Sequence, residues 1–108
     1  MGFFSNTRAA IDLANAADAI NDCFMNGLLP YLSKYNDGQV FSSQDRPYIR
    51  AGVEFIEQKV QYMQSRMQDL SPDKWMYTMV RTSDGHSTAV PGYIMAMQEL
   101  CREIRKSM

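Results

Sequence analysis

The chain has 108 residues, of which 45% are apolar and 21% are charged. This composition is typical of a folded globular protein and excludes a disordered chain, and the length predicts one domain spanning residues 1–108. Eleven basic and twelve acidic side chains give a net charge of −1, so no overall field would attract a nucleic acid or a membrane surface. No apolar run approaches the roughly 20 residues of a membrane span, and the first residues do not resemble a secretion signal. We therefore expect a cytoplasmic protein.

The first predicted helix begins near Ser5 or Asn6, because either side chain can cap the first turn of a helix. Gly27 is expected to end or break this helix, and Pro30 to begin a short second helix or a kinked extension through Tyr35. The predicted core stripe has the alternating three- and four-residue spacing of one helix face. It consists of Ala10, Leu13, Ala17, Ile20 and Phe24.

A polar linker follows, with a turn predicted at residues 36–38. Val40 and Phe41 are apolar within this linker, so both are expected to pack against the helices.

Residues 46–70 carry the longest hydrophobic repeat, which predicts the central helix of the fold. Asp45 or Arg46 would precede Pro47 at the first helical position. The helix should end at Leu70, because Ser71 and Pro72 are typical of a new helix start. Its seam has spacing 4, 3, 4, 3, 4, 3 and consists of Ile49, Val53, Ile56, Val60, Met63, Met67 and Leu70. Such a seam can pack within one chain or between two chains.

The remaining sequence predicts a short helix over residues 74–81, a flexible loop over residues 82–87, and a last helix that begins at Val90 or Pro91 and ends near Lys106. The last helix has its own stripe, made of Ile94, Met97, Cys101, Ile104 and Met108. No strand pattern competes with these helices. The sequence therefore predicts an all-α fold, a small antiparallel helical bundle of three long helices plus one or two short helices.

Few residues suggest catalysis or metal binding. His86 is the only histidine, and it lies beside Asp84 and Ser87 in a stretch whose composition is typical of an exposed turn. One histidine excludes a His-rich zinc or di-iron site, and no phosphate-binding or calcium-binding loop is present. We therefore expect no enzyme, no catalytic residue, no metal ligand and no cofactor. A general base at His86 is the enzymatic alternative.

The two cysteines, Cys23 and Cys101, lack the spacing of a metal or redox motif. They are expected to be buried free thiols, although a disulfide between them would be possible if their helices were adjacent.

Basic side chains cluster at Arg46 and Arg50, and again at Arg102, Arg105 and Lys106. Interaction with the helix dipole and with water accounts for both clusters, so no nucleic-acid binding is expected.

The chain has nine methionines and six tyrosines, which is a larger number of flexible apolar and aromatic side chains than the core of a small bundle requires. Methionine adapts to irregular surfaces, and Trp, Tyr and Arg are enriched where proteins bind one another. The densest group, and the predicted partner-binding site, is Trp75, Met76, Tyr77, Met79 and Arg81. Trp75 and Tyr77 would be anchors and Arg81 a contact at the rim. Further candidates are Tyr48, Tyr62 and Tyr93. Alternatively, this segment closes one end of the bundle and is buried there.

These observations favour a non-catalytic protein-interaction module that binds another protein as an adaptor, inhibitor or chaperone. A homodimer is a companion prediction, because the long seam is expected to present more apolar surface than one chain can cover. The alternatives are a carrier of a small apolar ligand and a self-assembling structural subunit.

Overall fold

The computed structural model describes residues 3–108. In chain order the elements are α1 (Phe3–Asp22), a π-helical segment (Cys23–Leu28), α2 (Leu29–Leu32), α3 (Arg46–Met67), a 3₁₀ turn (Pro72–Lys74), β1 (Met79–Arg81), β2 (Ser87–Ala89) and α4 (Val90–Arg105). The chain is 66% helical, with three helices of substantial length, which confirms the predicted helical class. A small antiparallel sheet, absent from the prediction, is added to the helices.

The predicted break at Gly27 is absent. The first helix continues into α2 through the π-helical segment. The amide of Leu29 donates to the carbonyl of Phe24, five residues earlier, which is the π register. This widened turn lies just before Pro30, which has no amide hydrogen for the carbonyl four residues earlier and would collide with it in a regular α-helix. The helix thus accommodates the proline by changing its register.

The buried face of α1 is slightly rotated from the predicted stripe. Ala10 and Phe24 are only partly buried. The helix includes residues from Phe3 onward, so its predicted start near Ser5 or Asn6 is two or three residues too late. The buried side chains are Ala9, Leu13, Ala16, Ala17 and Ile20. The three alanines in this set allow close approach of the neighbouring helix.

Helix α3 lies between α1 and α4 and contacts both. Its predicted seam is confirmed, because Ile49, Val53, Ile56, Val60 and Met63 are buried, and they are buried by this one chain. The helix ends at Met67 rather than Leu70, but Leu70 is still buried in the turn that follows. The seam is therefore intramolecular, which removes the predicted reason for a dimer through it.

Helix α3 begins at Arg46, with Asp45 at its N-cap position and Pro47 in its first turn, as predicted, although the Asp45 side chain forms no capping hydrogen bond. Ser42 forms the hydrogen bonds just before the helix. The Ser42 hydroxyl accepts the amide of Asp45 at 3.2 Å, and its carbonyl accepts the amide of Arg46 at 3.0 Å. Before it, Phe41 is buried and donates its amide to the Ser107 carbonyl at 2.9 Å, as predicted, whereas Val40 is exposed.

The last helix, α4, confirms its predicted start and stripe. Ile94, Cys101 and Ile104 are buried, and Met97 and Met108 are partly buried against the same core. Within residues 3–108, no helix combines the length and the apolar character needed to cross a membrane.

Candidate protein-binding site

The segment predicted as a short helix over residues 74–81 is instead a turn followed by strand β1. Strand β1 pairs with β2 in antiparallel register, Val80 lying opposite Thr88. Because side chains alternate across a strand, Val80 points into the core while Met79 and Arg81 point outward. The strand geometry therefore decides which side chains of this segment face water.

The predicted flexible loop over residues 82–87 is the closed turn of this hairpin and the start of β2. Gly85 has φ of +89°, a conformation that favours glycine, and its amide donates to the Thr82 carbonyl at 3.1 Å. The amide of Thr82 donates to the His86 carbonyl at 2.8 Å. The carboxylate of Asp84 accepts the Thr82 hydroxyl and, at 3.3 Å, the His86 amide. The Asp84-Gly85 pair is the sequence signal that marks such a hairpin.

Three contacts attach the hairpin to the helices. The Val80 side chain is buried in the core, the Val90 amide donates to the Thr78 carbonyl at 3.0 Å, and the Asn21 side-chain amide donates to the Arg81 carbonyl at 2.8 Å. The backbone of the β1–β2 hairpin is therefore fixed relative to the helices.

Four of the five predicted site residues are exposed in and just before this hairpin. Met76 retains 66% of its accessible surface, Tyr77 82% and Met79 52%, and Arg81 is also exposed. We call Met76, Tyr77, Met79 and Arg81 the hairpin surface.

Trp75, predicted as an anchor, lies beside this surface but is not part of it. Its ring packs partly buried against the core, and its indole N–H donates to the Met67 carbonyl at 3.0 Å. This carbonyl belongs to the last residue of α3 and also accepts the Leu70 amide at 2.9 Å, so the indole adds a second hydrogen bond at the end of the helix. Trp75 thus holds the turn in place.

One face of Trp75 borders an open cleft between the end of α3 and the beginning of α4. The cleft has a volume of about 280 Å³. It is lined by Gln64, Met67, Gln68, Trp75, Pro91, Ile94, Met95 and Gln98. Its lining combines apolar side chains with three glutamines.

The three further tyrosine candidates differ in exposure. Tyr93 is buried, contrary to the prediction, and its hydroxyl bonds to the Asn21 side-chain oxygen at 2.6 Å and the Ala17 carbonyl at 3.2 Å. Burial raises the pKa of Tyr93, and the charge of Asp18 adds to the effect. Tyr93 therefore joins α4 to α1 and has almost no exposed surface.

His86, the enzymatic alternative, is exposed in the hairpin turn, with Nε2 4.0 Å from the Asp84 carboxylate. The pKa of Asp84 is lowered, first by the hydrogen bond from Thr82 and then by the His86 amide. The Asp84 carboxylate thus stabilises the turn itself.

The cysteines are free, and no disulfide joins them. Cys101 is buried, as predicted, and burial raises the pKa of its thiol to about 11. Cys23 is only partly buried and faces the Gly52 carbonyl at 3.7 Å. Among residues 3–108, no three His, Cys, Asp or Glu side chains are grouped to hold a metal ion.

Comparisons with protein families, curated proteins and solved structures gave no match to this chain.

Proposed function

We propose that this chain is a non-catalytic protein-interaction module, of the adaptor, inhibitor or chaperone type, that binds another protein through the hairpin surface. The observation that carries the proposal is the exposure of Met76, Tyr77 and Met79 within four consecutive positions. Single exposed apolar residues are normal on a protein surface, whereas several exposed within one short segment favour an interaction site.

The energetics of binding favour such a surface. Full burial of one large apolar side chain contributes about 1.5–3 kcal/mol, and Tyr77 has most of its surface left to bury. Met76 and Tyr77 lie in the turn just before β1, where the Lys74 carbonyl accepts the amides of Tyr77 at 3.1 Å and Thr78 at 3.0 Å, so little backbone entropy would be lost on binding. Tyr77 and Met76 would be the anchors, and Arg81 a charged contact at the rim.

The neighbouring cleft beside Trp75 would receive one bulky side chain of the partner. Its volume of about 280 Å³ is slightly below the range of about 300–1,000 Å³ common for small-molecule sites. A larger groove of about 490 Å³ lies between α3 and α4, and the Glu57–Arg105 ion pair is part of its lining. This charged lining is poorly suited to an apolar ligand. The ligand-carrier alternative therefore has less support. We expect the partner to be a cytoplasmic protein, on the sequence grounds above.

The test compares the wild-type chain with Met76→Ser/Tyr77→Ser as baits in native lysate, with quantification of each captured protein. We expect one stoichiometric partner to be depleted at least about tenfold by the double variant, which corresponds to a loss of about 1.4 kcal/mol or more. Trp75 stays unchanged, because altering it would disturb the fold.

The matched control is Ile11→Ser/Val40→Ser, which removes two apolar side chains that are also exposed but lie far from the hairpin in sequence. This control should capture the partner as the wild type does. Equal capture by all three chains, or no partner for any of them, would contradict the proposed function.

A further inference from the structure

Helix α3 carries a second heptad stripe on its outward face, separate from its buried seam. The spacing is 3, 4, 3, 4, 3, and every member is exposed and uncharged. We call this set the outer stripe. Its members are Tyr48, Ala51, Phe55, Gln58, Tyr62 and Ser65. At 1.5 Å per residue it extends about 26 Å along the helix.

The outer stripe alternates large and small side chains. Tyr48, Phe55 and Tyr62 recur every seven residues and retain 61%, 39% and 42% of their accessible surface. The intervening positions hold smaller side chains, which would leave room for aromatic rings from a facing helix. The Ser65 hydroxyl already bonds to the Tyr62 carbonyl at 2.7 Å, so its burial would leave no hydroxyl donor without a partner.

The charges beside the outer stripe have opposite sign on its two edges. Lys59 lies on the α1 side, with its ammonium 5.7 Å from the Phe55 ring centre and 6.0 Å from that of Tyr62. Glu54 lies on the other edge, and neither Glu54 nor Lys59 forms an ion pair among the contacts of residues 3–108. Lys59 therefore has no ion-pair partner within the described chain, and Glu54 has only a longer-range interaction with Arg105.

We propose that the outer stripe is the face of a parallel homodimer, in which α3 of a second copy packs against α3 of the first. In a parallel helix pair, a residue on one edge faces the residue five positions later on the opposite edge of the other helix. Glu54 would thus face Lys59 of the second copy, and the symmetric pair would form as well. An antiparallel pair would instead place the Lys59 edge of one helix against the Lys59 edge of the other, since Arg66 on that edge is already paired with Asp12 and Asp69.

A parallel arrangement also has a functional consequence. The hairpin follows α3 in the chain, so both hairpin surfaces would lie at the same end of the dimer. Two such surfaces could engage a bivalent partner with an avidity above that of one. The dimer itself does not depend on the hairpin surface binding any protein.

Sedimentation equilibrium over a range reaching high micromolar concentration tests the proposal. Wild type should show a monomer–dimer equilibrium, and Phe55→Glu should weaken it at least about 100-fold because two carboxylates would be buried face to face. Ile11→Glu is the matched control, since it places the same charge at another exposed apolar position, and it should dimerise as wild type does. Met76→Ser/Tyr77→Ser should also dimerise normally, which separates this proposal from the proposed function.

Charge reversal and crosslinking test the orientation of the two helices. Lys59→Glu should weaken the dimer about tenfold, since each dimer contains two such pairs, and Glu54→Lys/Lys59→Glu should restore it. Mild oxidation of Ser65→Cys should give a disulfide-linked dimer absent from wild type.

A wild-type chain that is monomeric at every concentration overturns the proposal, as does failure of the double reversal to restore the dimer. A monomer that binds single-stranded oligonucleotides, with binding lost in Phe55→Glu, overturns it in favour of base stacking on the aromatic rings.

Discussion

Gly52 is the point at which the π-helical segment packs most closely on α3. A Cβ atom added there would lie 2.6 Å from Leu28 Cδ2 and 2.8 Å from Leu28 Cγ. Leu28 is fully buried at the end of the π-helical segment, so it cannot turn outward to make room. Gly52→Ala should therefore force the two helices apart.

Two opposing effects determine the size of this destabilisation. Replacing glycine by alanine within a helix contributes about 1 kcal/mol of stability. Overpacking a core typically costs about 1–3 kcal/mol, and the contact to Leu28 Cγ, a branching atom rather than a flexible end, favours the upper part of this range. We expect a net loss of about 1–2 kcal/mol, which lowers Tm by about 5–10 °C.

Urea and thermal unfolding followed by circular dichroism measure this loss. The matched control is Gly92→Ala in α4, where the added Cβ would meet only the Thr88 hydroxyl, at 3.4 Å, and stability should be unchanged or slightly higher. In a Leu28→Ala background the Gly52→Ala change should become neutral or stabilising, because the atoms that it strikes are gone. Gly52→Ala that is as stable as wild type would refute the close packing described for the π-helical segment.

Two other predictions concern buried groups. Tyr93→Phe should lower the free energy of unfolding by about 1–2 kcal/mol in urea titrations, because the Ala17 carbonyl and the Asn21 side-chain oxygen lose their donor. The pKa of the Cys101 thiol is raised from 9.0 to about 11, first by burial, so the unfolded chain loses this proton at lower pH than the folded chain. Stability should consequently fall by about 2–3 kcal/mol as the pH rises between these values, and Cys101→Ala should show a shallower fall under reducing conditions.

The long helices were predictable because their burial follows directly from local periodicity. In α3 the three- and four-residue spacing from Ile49 to Met63 determines one face of a helix, and that face is the buried one. The same holds for Ile94, Cys101 and Ile104 in α4. For α1 the spacing located the helix, but alanines lie on adjacent faces, so Ala9 and Ala16 could replace Ala10 in the core without a visible signal in the sequence.

The hairpin was not predicted, because three residues are too few to distinguish strand from helix by alternation. Val80 is buried through contact with parts of the chain distant in sequence, which local pattern does not contain. The Asp84-Gly85 turn signal was present but was assigned to a loop. Composition alone selects residues 75–81 as the candidate partner-binding stretch, whereas the inward position of Trp75 depends on the Met67 carbonyl eight residues earlier.

The outer stripe of α3 is visible in the sequence once the buried seam is identified. Before that, Tyr48, Phe55 and Tyr62 are only aromatic residues on a long helix, and their spacing competes with the stronger seam of Ile49 and Ile56. In the structure the seam residues are buried within the one chain, whereas the three aromatic residues stay exposed.

The most direct test of the protein-binding proposal is site-specific photo-crosslinking from Tyr77 in the cells that make the protein. A photo-reactive amino acid at Tyr77 should yield one dominant adduct with another protein, and the same amino acid at Ile11 should not yield it. Adducts that are equal at both positions, or absent from both, would contradict the assignment of the hairpin surface as a binding site.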